Sequence, residues 1–404
     1  MTETHYILFN IALILISARV FAELFSRMGA PSIIGELFAG VLLGPSLLGW
    51  ISPNEVIKLL SEIGIILLLF EVGLETDLGR LAKAGSKATV VAFIGFIAPF
   101  LLGFAASHYL FGLDVLISLF IGGTLTATSI GITVRVLSDL GQHKSNEAQI
   151  VLGAAVIDDL LGVFLLAVLY EFATSGTVSL EYTGKIILYV GGFVILAPVL
   201  AKLASPLLKH FHKQSQTPGL IPTVLVSMVL IFAVLAHFVG APYILGGFVA
   251  GIALSRRFFL PFAAALKTDP EFVQHTHEQM KPIIQLFTPI FFVMVGLSLD
   301  LTEVDWGSGF VWTFSLSMLA LAILGKLIGP WFVKEPNHVR IVIGMSMVPR
   351  GEVGLVFAEL GATAGILKTE VYAGLVLVIA YTTLASPFWI KQYYKRFSDR
   401  VPDN

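Results

Sequence analysis

The sequence predicts an all-α protein that crosses a membrane many times. Of its 404 residues, 56% are hydrophobic and only 13% are charged, and the mean hydropathy is +0.88. Apolar runs long enough to span a bilayer recur from one end of the chain to the other, separated by short stretches with charged, glycine and proline residues. Together these observations indicate a polytopic helical membrane protein that forms a single membrane domain over residues 1–404.

The apolar runs predict thirteen transmembrane helices. They begin near residues 5, 31, 55, 86, 114, 147, 181, 219, 242, 272, 309, 337 and 369. Most of the 25 lysine and arginine residues then fall in loops on one side, whereas only Lys58, Lys185 and Lys368 lie in loops on the other. By the positive-inside rule, the C-terminus is cytoplasmic and the N-terminus lies outside the cytoplasmic (inner) membrane.

Two of the predicted spans are interrupted by residues that weaken a helix. The fifth contains Thr124, Thr126, Thr128, Ser129 and Gly131, and the twelfth contains Pro349, Arg350, Gly351 and Glu352. Thirteen spans allow two inverted six-helix repeats joined by a linker helix at 181–209, in which these two spans are partners, so we expect crossed discontinuous helices. Ordinary kinks in packed helices are the alternative.

The interruptions suggest an ion site, because discontinuous helices present half-helix ends inside the membrane. Arg350 and Glu352 are candidates to compensate the charge of those ends. The hydroxyls of Thr128 and Ser129, with nearby unwound carbonyls, are candidate ligands for a hard monovalent cation, which prefers oxygen.

Asp158 and Asp159 are adjacent carboxylates near the middle of the sixth span, a position that marks an ion or proton pathway. Lys326, in the eleventh span, lies at a depth from which its ammonium can reach them. Neighbouring residues point about 100° apart on a helix, so one aspartate can face Lys326 while the other faces an aqueous cavity. Alternatively, Lys326 extends to the cytoplasmic interface. On the first span, Arg19 and Glu23 are four residues apart and are predicted to pair.

Composition and spacing also exclude several functions. The chain has no cysteine, which removes thiolate metal sites and cysteine nucleophiles, and it has no basic face for nucleic acid. An intramembrane aspartyl protease needs two carboxylates that face one water from separate segments, which adjacent residues cannot provide. No enzyme activity and no cofactor are therefore expected. A sodium-coupled symporter of an organic anion stays an alternative, although only Arg350 suggests an anion site.

Six motifs resemble the monovalent cation:proton antiporter-2 family, and within it the bacterial sodium/proton antiporters with paired aspartates. They are AGVLLGPSLLG (39–49), LLLFEVGLETD (67–77), TATSIGITVRVLSDLG (126–141), LGAAVIDDLLG (152–162), LGKLIG (324–329) and VPRGEVGL (348–355). The resemblance implies that Asp159 binds the cation or protons, which makes it the candidate metal ligand, and that Asp158 pairs with Lys326.

The resemblance also implies an arrangement of the chain. The core helices that carry ions would be 86–174 and 309–395, and the dimerisation helices 5–78 and 219–300, in a homodimer embedded in membrane lipid. The expected function is electrogenic exchange of a monovalent cation, first of all Na⁺, for protons by elevator-type alternating access. K⁺/H⁺ exchange is the alternative, because the sequence does not show the cavity size that selects among Na⁺, Li⁺ and K⁺.

Overall fold

The computed structural model describes residues 3–75, 78–175, 219–254, 270–302 and 304–397, with short pieces between 184 and 197. The helices are α1 (Glu3–Arg27), α2 (Ser32–Leu43), α3 (Glu55–Glu75), α4 (Leu78–Ala105), α5 (Val115–Thr126), α6 (Ile130–Asp139), α7 (Asn146–Ser175), α8 (Leu220–Phe238), α9 (Tyr243–Leu254), α10 (Pro270–Leu297), α11 (Gly309–Ile328), α12 (Asn337–Ser346), α13 (Glu352–Thr363) and α14 (Thr369–Phe397). A π-helical turn at Ala106–Leu110 follows α4, and a 3₁₀ turn at Gly329–Phe332 follows α11.

The helices begin close to the predicted starts of the spans. Helices α5, α7 and α11 begin at Val115, Asn146 and Gly309, where the apolar runs predicted 114, 147 and 309. Helix α4 begins at Leu78 instead of near 86. Residues 80–84, Arg-Leu-Ala-Lys-Ala, have good helix propensity and continue the helix beyond its apolar run. Most of the predicted linker helix, 181–209, lies outside the described residues.

Eight helical stretches in the described part of the chain are long and apolar enough to cross a membrane. They are Thr4–Arg27, Ala84–Leu110, Val115–Asp139, Asn146–Leu166, Leu220–Phe238, His277–Leu297, Gly309–Phe332 and Thr369–Arg396. Helices α2 and α9 have 12 residues each, and at about 1.5 Å per residue they reach only about 18 Å. The protein is therefore a multi-pass membrane protein, whereas the count of thirteen spans and the inverted repeat stay predictions.

Apolar side chains also cover the outside of the molecule. On α1, Phe9, Ile16 and Val20 are 63%, 63% and 57% exposed, while Ile14 and Ala18 on the same helix are buried. A soluble protein seldom exposes such a stripe of large apolar residues. Hydrocarbon chains of lipid would cover it, as the composition predicts.

The chain forms two compact units, of which the first comprises residues 1–53, 84–180 and 292–404. Its core joins α5, α7, α11, α13 and α14 through buried residues that include Phe120, Phe314, Phe357 and Leu375. Gly123 on α5 lies directly against the Phe357 ring, where a Cβ would come within 2.9 Å. This core holds the two interrupted helices together, and truncating Phe357 to alanine would cost about 3–5 kcal/mol.

The second unit comprises residues 54–83 and 181–291, and its described helices pack closely through glycine. Gly247 and Gly251, four residues apart on α9, lie against the backbone carbonyls of Ile66 and Phe70 on α3. A side chain at either glycine would overlap the facing backbone. Small residues at this spacing let membrane helices approach each other closely.

The first unit groups residues 1–53, most of which were predicted as dimerisation helices, with the predicted core helices. Compactness does not test which helices move or dimerise. The assignment of transport and dimerisation helices therefore stays a prediction.

Candidate functional site at two interrupted helices

Both predicted helix interruptions are present. Helix α5 ends at Thr126 and α6 begins at Ile130, so residues 127–129 are not helical. Helix α12 ends at Ser346 and α13 begins at Glu352, with non-helical backbone between them. Backbone N–H and C=O groups at such breaks need partners from other elements, since water is scarce at this depth.

The break between α5 and α6, together with the start of α6, donates hydrogen bonds to the end of α12 and to the break that follows it. The Thr128 hydroxyl donates to the carbonyl of Met347 (3.1 Å), and the Thr133 hydroxyl donates to that of Ser346 (2.7 Å). The Ser129 N–H donates to the Pro349 carbonyl (2.8 Å). Carbonyls at and beyond the C-terminal end of α12 are thus satisfied by the other break.

Arg350, in the break between α12 and α13, donates hydrogen bonds in the opposite direction, to the end of α5. Its side chain is fully buried, and its guanidinium donates to the carbonyls of Ala127 (2.6 Å) and Leu125 (2.5 Å) at the C-terminal end of α5. A helix C-terminus carries partial negative charge, which a guanidinium compensates. The carbonyl of Arg350 itself accepts a hydrogen bond from Thr383 on α14 (2.6 Å). The Glu352 side chain lies outside the part of the chain that the structure describes.

Lys326 and Asp158 form a buried ion pair. The Nζ atom of Lys326 on α11 lies 3.1 Å from each carboxylate oxygen of Asp158 on α7. Their side chains are 0% and 1% exposed, respectively. Lys326 therefore does not extend to the cytoplasmic interface. On α4, Gly95 lies beside the Lys326 stem, and a Cβ there would be in ordinary van der Waals contact with its Cδ at 3.7 Å.

The ion pair and the helix interruptions belong to one electrostatic neighbourhood. The charge on Arg350 interacts with the Asp158 carboxylate. Asp159 is partly buried, in contrast to the fully buried Asp158, and its charge acts on Lys326. Two aspartates, one lysine and one arginine thus influence each other near the half-helix ends, and this low-dielectric setting makes such interactions strong.

Ser129 has a free hydroxyl within the described structure. Its side chain is 1% exposed, and its Oγ has no hydrogen-bond partner among the described residues. The atom lies beside Gly351, where a Cβ would come within 2.7 Å of it. A buried hydroxyl without a partner is costly and is therefore a candidate ligand for an ion or water.

No group of three or more histidine, cysteine, aspartate or glutamate residues suited to a metal ion occurs among the described residues. The hydroxyls and backbone carbonyls at the interruptions are oxygen groups of the kind that hard cations prefer. Sequence reasoning missed Thr133 and Thr383, which bond the breaks directly. Their signal was a hydroxyl inside an apolar span, as in TSIGIT and AYTTLAS.

The site and the fold define the class of protein. A membrane protein with two interrupted helices that satisfy each other, beside a buried lysine–aspartate pair, has the architecture of a secondary transporter of ions. The chain belongs to the sodium/hydrogen exchanger family, because residues 11–396 match the family model described as sodium/hydrogen exchanger, transmembrane. The sequence prediction of a monovalent cation:proton antiporter family is confirmed, and the protein is a transporter and not an enzyme.

Relatives and solved structures agree with this assignment. The chain is 31% identical to the high-affinity Na⁺/H⁺ antiporter NhaS3 of Synechocystis sp., over 96% of this chain and 90% of that protein. It is 34% identical to the Na⁺/H⁺-K⁺ antiporter GerN of Bacillus cereus, over 95% of both. The sodium proton antiporter MjNhaP1 of Methanocaldococcus jannaschii has the same fold, with a TM-score of 0.76 at 17% identity over the full length of both chains.

Proposed function

We propose that this protein exchanges Na⁺ for protons across the cytoplasmic membrane, with Asp159 as the carboxylate that carries either ion. The observation that carries the proposal is the buried Lys326–Asp158 pair, because it fixes charged groups directly beside Asp159, whose own side chain is only partly buried. The Na⁺/H⁺ antiporters among the relatives support Na⁺ as the cation.

Competition for one carboxylate produces antiport. A deprotonated Asp159 attracts Na⁺, and a protonated Asp159 does not, so each ion displaces the other at whichever side of the membrane the site faces. The free hydroxyl of Ser129 and the carbonyls of the unwound segments supply neutral oxygen ligands. Bound weakly by such a mixed set, the cation can leave again, as transport requires.

The ion pair adds a second titrating unit. When Na⁺ binds Asp159, it neutralises a negative charge that favours the protonated form of Lys326. Lys326 then releases its own proton, since closely coupled groups titrate as a unit. One cation would then exchange for two protons, which makes transport electrogenic. Elevator-type movement of the core helices, in a homodimer whose N-terminus lies outside and whose C-terminus is cytoplasmic, completes the proposed cycle.

K⁺/H⁺ exchange is the second candidate, because GerN is named a Na⁺/H⁺-K⁺ antiporter. Hydroxyl and carbonyl ligands accept ions of several sizes, so the residues at the interruptions do not exclude K⁺. Membership of an exchanger family argues against the symport of an organic anion.

The test uses purified protein in liposomes that contain a pH-sensitive dye, challenged in turn with Na⁺, Li⁺ and K⁺. We expect Na⁺ added outside to exchange for internal protons, so that the dye reports a rise in internal pH. Asp159→Asn should abolish this response to every cation. Asp114→Asn, the same substitution at an exposed residue before α5, is the matched control and should transport normally. Near-normal proton movement with Asp159→Asn would overturn the assignment of the carrier.

A further inference from the structure

A second buried carboxylate lies outside the site described above. The Glu36 side chain on α2 is 0% exposed. Its Oε1 lies 3.7 Å from Arg135 on α6 and 3.9 Å from Arg19 on α1, and neither carboxylate oxygen has a hydrogen bond within the described residues. The predicted pairing of Arg19 with Glu23 is wrong, because Glu23 pairs with Arg27 at 2.8 Å. The buried charge of Glu36 attracts Arg19 more strongly than an exposed neighbour on the same helix.

Further polar contacts extend this ion pair into a cluster. Arg135 Nε lies 3.2 Å from Asp139, and the Ser32 hydroxyl donates to the other Asp139 oxygen at 2.6 Å. Two arginines therefore balance two carboxylates. The set of Arg19, Ser32, Glu36, Arg135 and Asp139 is called the charge clamp below. Its side-chain contacts join α6 to the first two helices.

The other contacts of α2 are of a different kind. A Cβ on Gly35 would overlap the Phe21 carbonyl of α1, and a Cβ on Gly40 would overlap the Val293 carbonyl of α10. Backbones in direct contact cannot slide without losing their packing. By contrast, guanidinium and carboxylate groups nearly 4 Å apart can separate without unpacking a core. The charge clamp is therefore the joint at which α6 can part from α2.

Helix α6 connects this joint to the proposed ion site. It runs from Ile130 to Asp139 and begins directly after Ser129. Arg135 lies six residues from Ser129, which is about 9 Å along the helix. Because one short helix carries both, a force on Arg135 is transmitted to the hydroxyls at its N-terminal end.

We propose that Glu36 is a positioning residue for ion exchange. Its pairing with Arg135 holds α6, and with it the segment Thr128–Ser129, against α2, and this contact opens during the transport cycle. The inference rests on the proposed exchange of a cation for protons. Glu36 does not bind the transported ion, since two guanidinium groups flank it.

The first test measures the position of α6 without measuring transport. The chain has no native cysteine, so Val136→Cys places a single thiol at a fully buried position beside Arg135. In liposomes, we expect a thiol reagent to label this residue slowly, and about fivefold or more faster when Glu36→Gln is added. Glu23→Gln neutralises an exposed carboxylate on α1 and should leave the labelling rate unchanged.

The second test separates positioning from simple charge balance. Glu36→Gln should raise the half-saturating Na⁺ concentration about fivefold or more, with a smaller effect on the maximal rate. Glu36→Asp, which keeps the charge, should remain near wild type. The double variant Glu36→Gln/Arg135→Gln removes one charge of each sign, so it should regain thermal stability while keeping the raised half-saturation value and the fast labelling.

Wild-type labelling and wild-type Na⁺ dependence with Glu36→Gln would overturn the proposal, and so would full recovery of both in the double variant. If Glu36→Gln does not fold, as judged by size-exclusion chromatography, Arg135→Gln breaks the same contact from α6 and must give the same two changes. Failure of the proposed function is distinguishable, because a wild-type protein that moves no protons still reports the clamp through the labelling of Val136→Cys.

Discussion

Lys326 and Asp158 form an ion pair that is closed to solvent, with the ammonium 3.1 Å from both carboxylate oxygens. An ion pair in this position is expensive to desolvate and expensive to break. Lys326 also feels the charge of Asp159 and of Arg350. A change of charge at Asp159 therefore changes the electrostatic energy of the pair, which also links α7 to α11.

The first prediction concerns this pair and electrogenicity. Removing one partner leaves a buried charge at a cost of about 3–5 kcal/mol, so single variants confuse folding with transport. Lys326→Gln combined with Asp158→Asn removes both charges together. We expect currents from proteoliposomes on a solid support to fall sharply while dye-reported exchange persists. An unchanged current per transported Na⁺ would mean that the pair only stabilises the core.

The second prediction concerns Arg350. Lysine cannot reproduce two hydrogen bonds from one planar group to the carbonyls of Leu125 and Ala127. Arg350→Lys should therefore lower thermal stability, by about 1.5–3 kcal/mol for the loss of a charged hydrogen bond, and reduce transport. Arg340→Lys on α12 is the control, because Arg340 is half-buried and its partners, the Val333 carbonyl, Asn337 and the Trp331 ring, are close in sequence and away from the interruptions. Equal effects of both substitutions on melting temperature would contradict this role.

The third prediction concerns the free hydroxyl of Ser129. Since its Oγ makes no hydrogen bond within the described residues, Ser129→Ala should cost little stability. It should raise the half-saturating Na⁺ concentration about tenfold, which corresponds to about 1.4 kcal/mol for one lost ligand. Thr288→Val removes another buried hydroxyl without a described partner, in the second unit, and should leave the Na⁺ dependence unchanged. A similar rise in both variants would remove Ser129 from the site.

The fourth prediction concerns orientation. Ala364, in the turn after α13, and Asn146, at the start of α7, are both exposed. The positive-inside rule puts the first outside and the second in the cytoplasm. In the chain without native cysteine, Ala364→Cys should react with an impermeant thiol reagent on intact cells, and Asn146→Cys should react only after the cells are broken. The reverse pattern would invert the proposed topology.

Local sequence patterns predicted the helix starts and the two breaks. Contacts between residues far apart in the sequence were harder to predict. Helix starts followed from apolar runs, and the breaks followed from proline, glycine and hydroxyl residues, because both depend on nearby sequence. Thr133 and Thr383 were missed because their partners, the carbonyls of Ser346 and Arg350, are set by how separate helices pack. Arg19 was assigned to Glu23 by helical spacing, but a buried carboxylate on another helix competes better than an exposed one.

The mutual bonding of the two breaks has a consequence for synthesis of the chain. Arg350 is 223 residues beyond Ala127, whose carbonyl it satisfies. At about 5–20 residues per second, the ribosome needs about 10–45 s to supply it. During that interval the first half is in the membrane with an exposed helix end, which must bond to water, lipid headgroups or an insertion factor. In a chain truncated before Arg350, the carbonyls at the end of α5 never gain this partner. Such a chain should be removed by membrane proteases instead of accumulating.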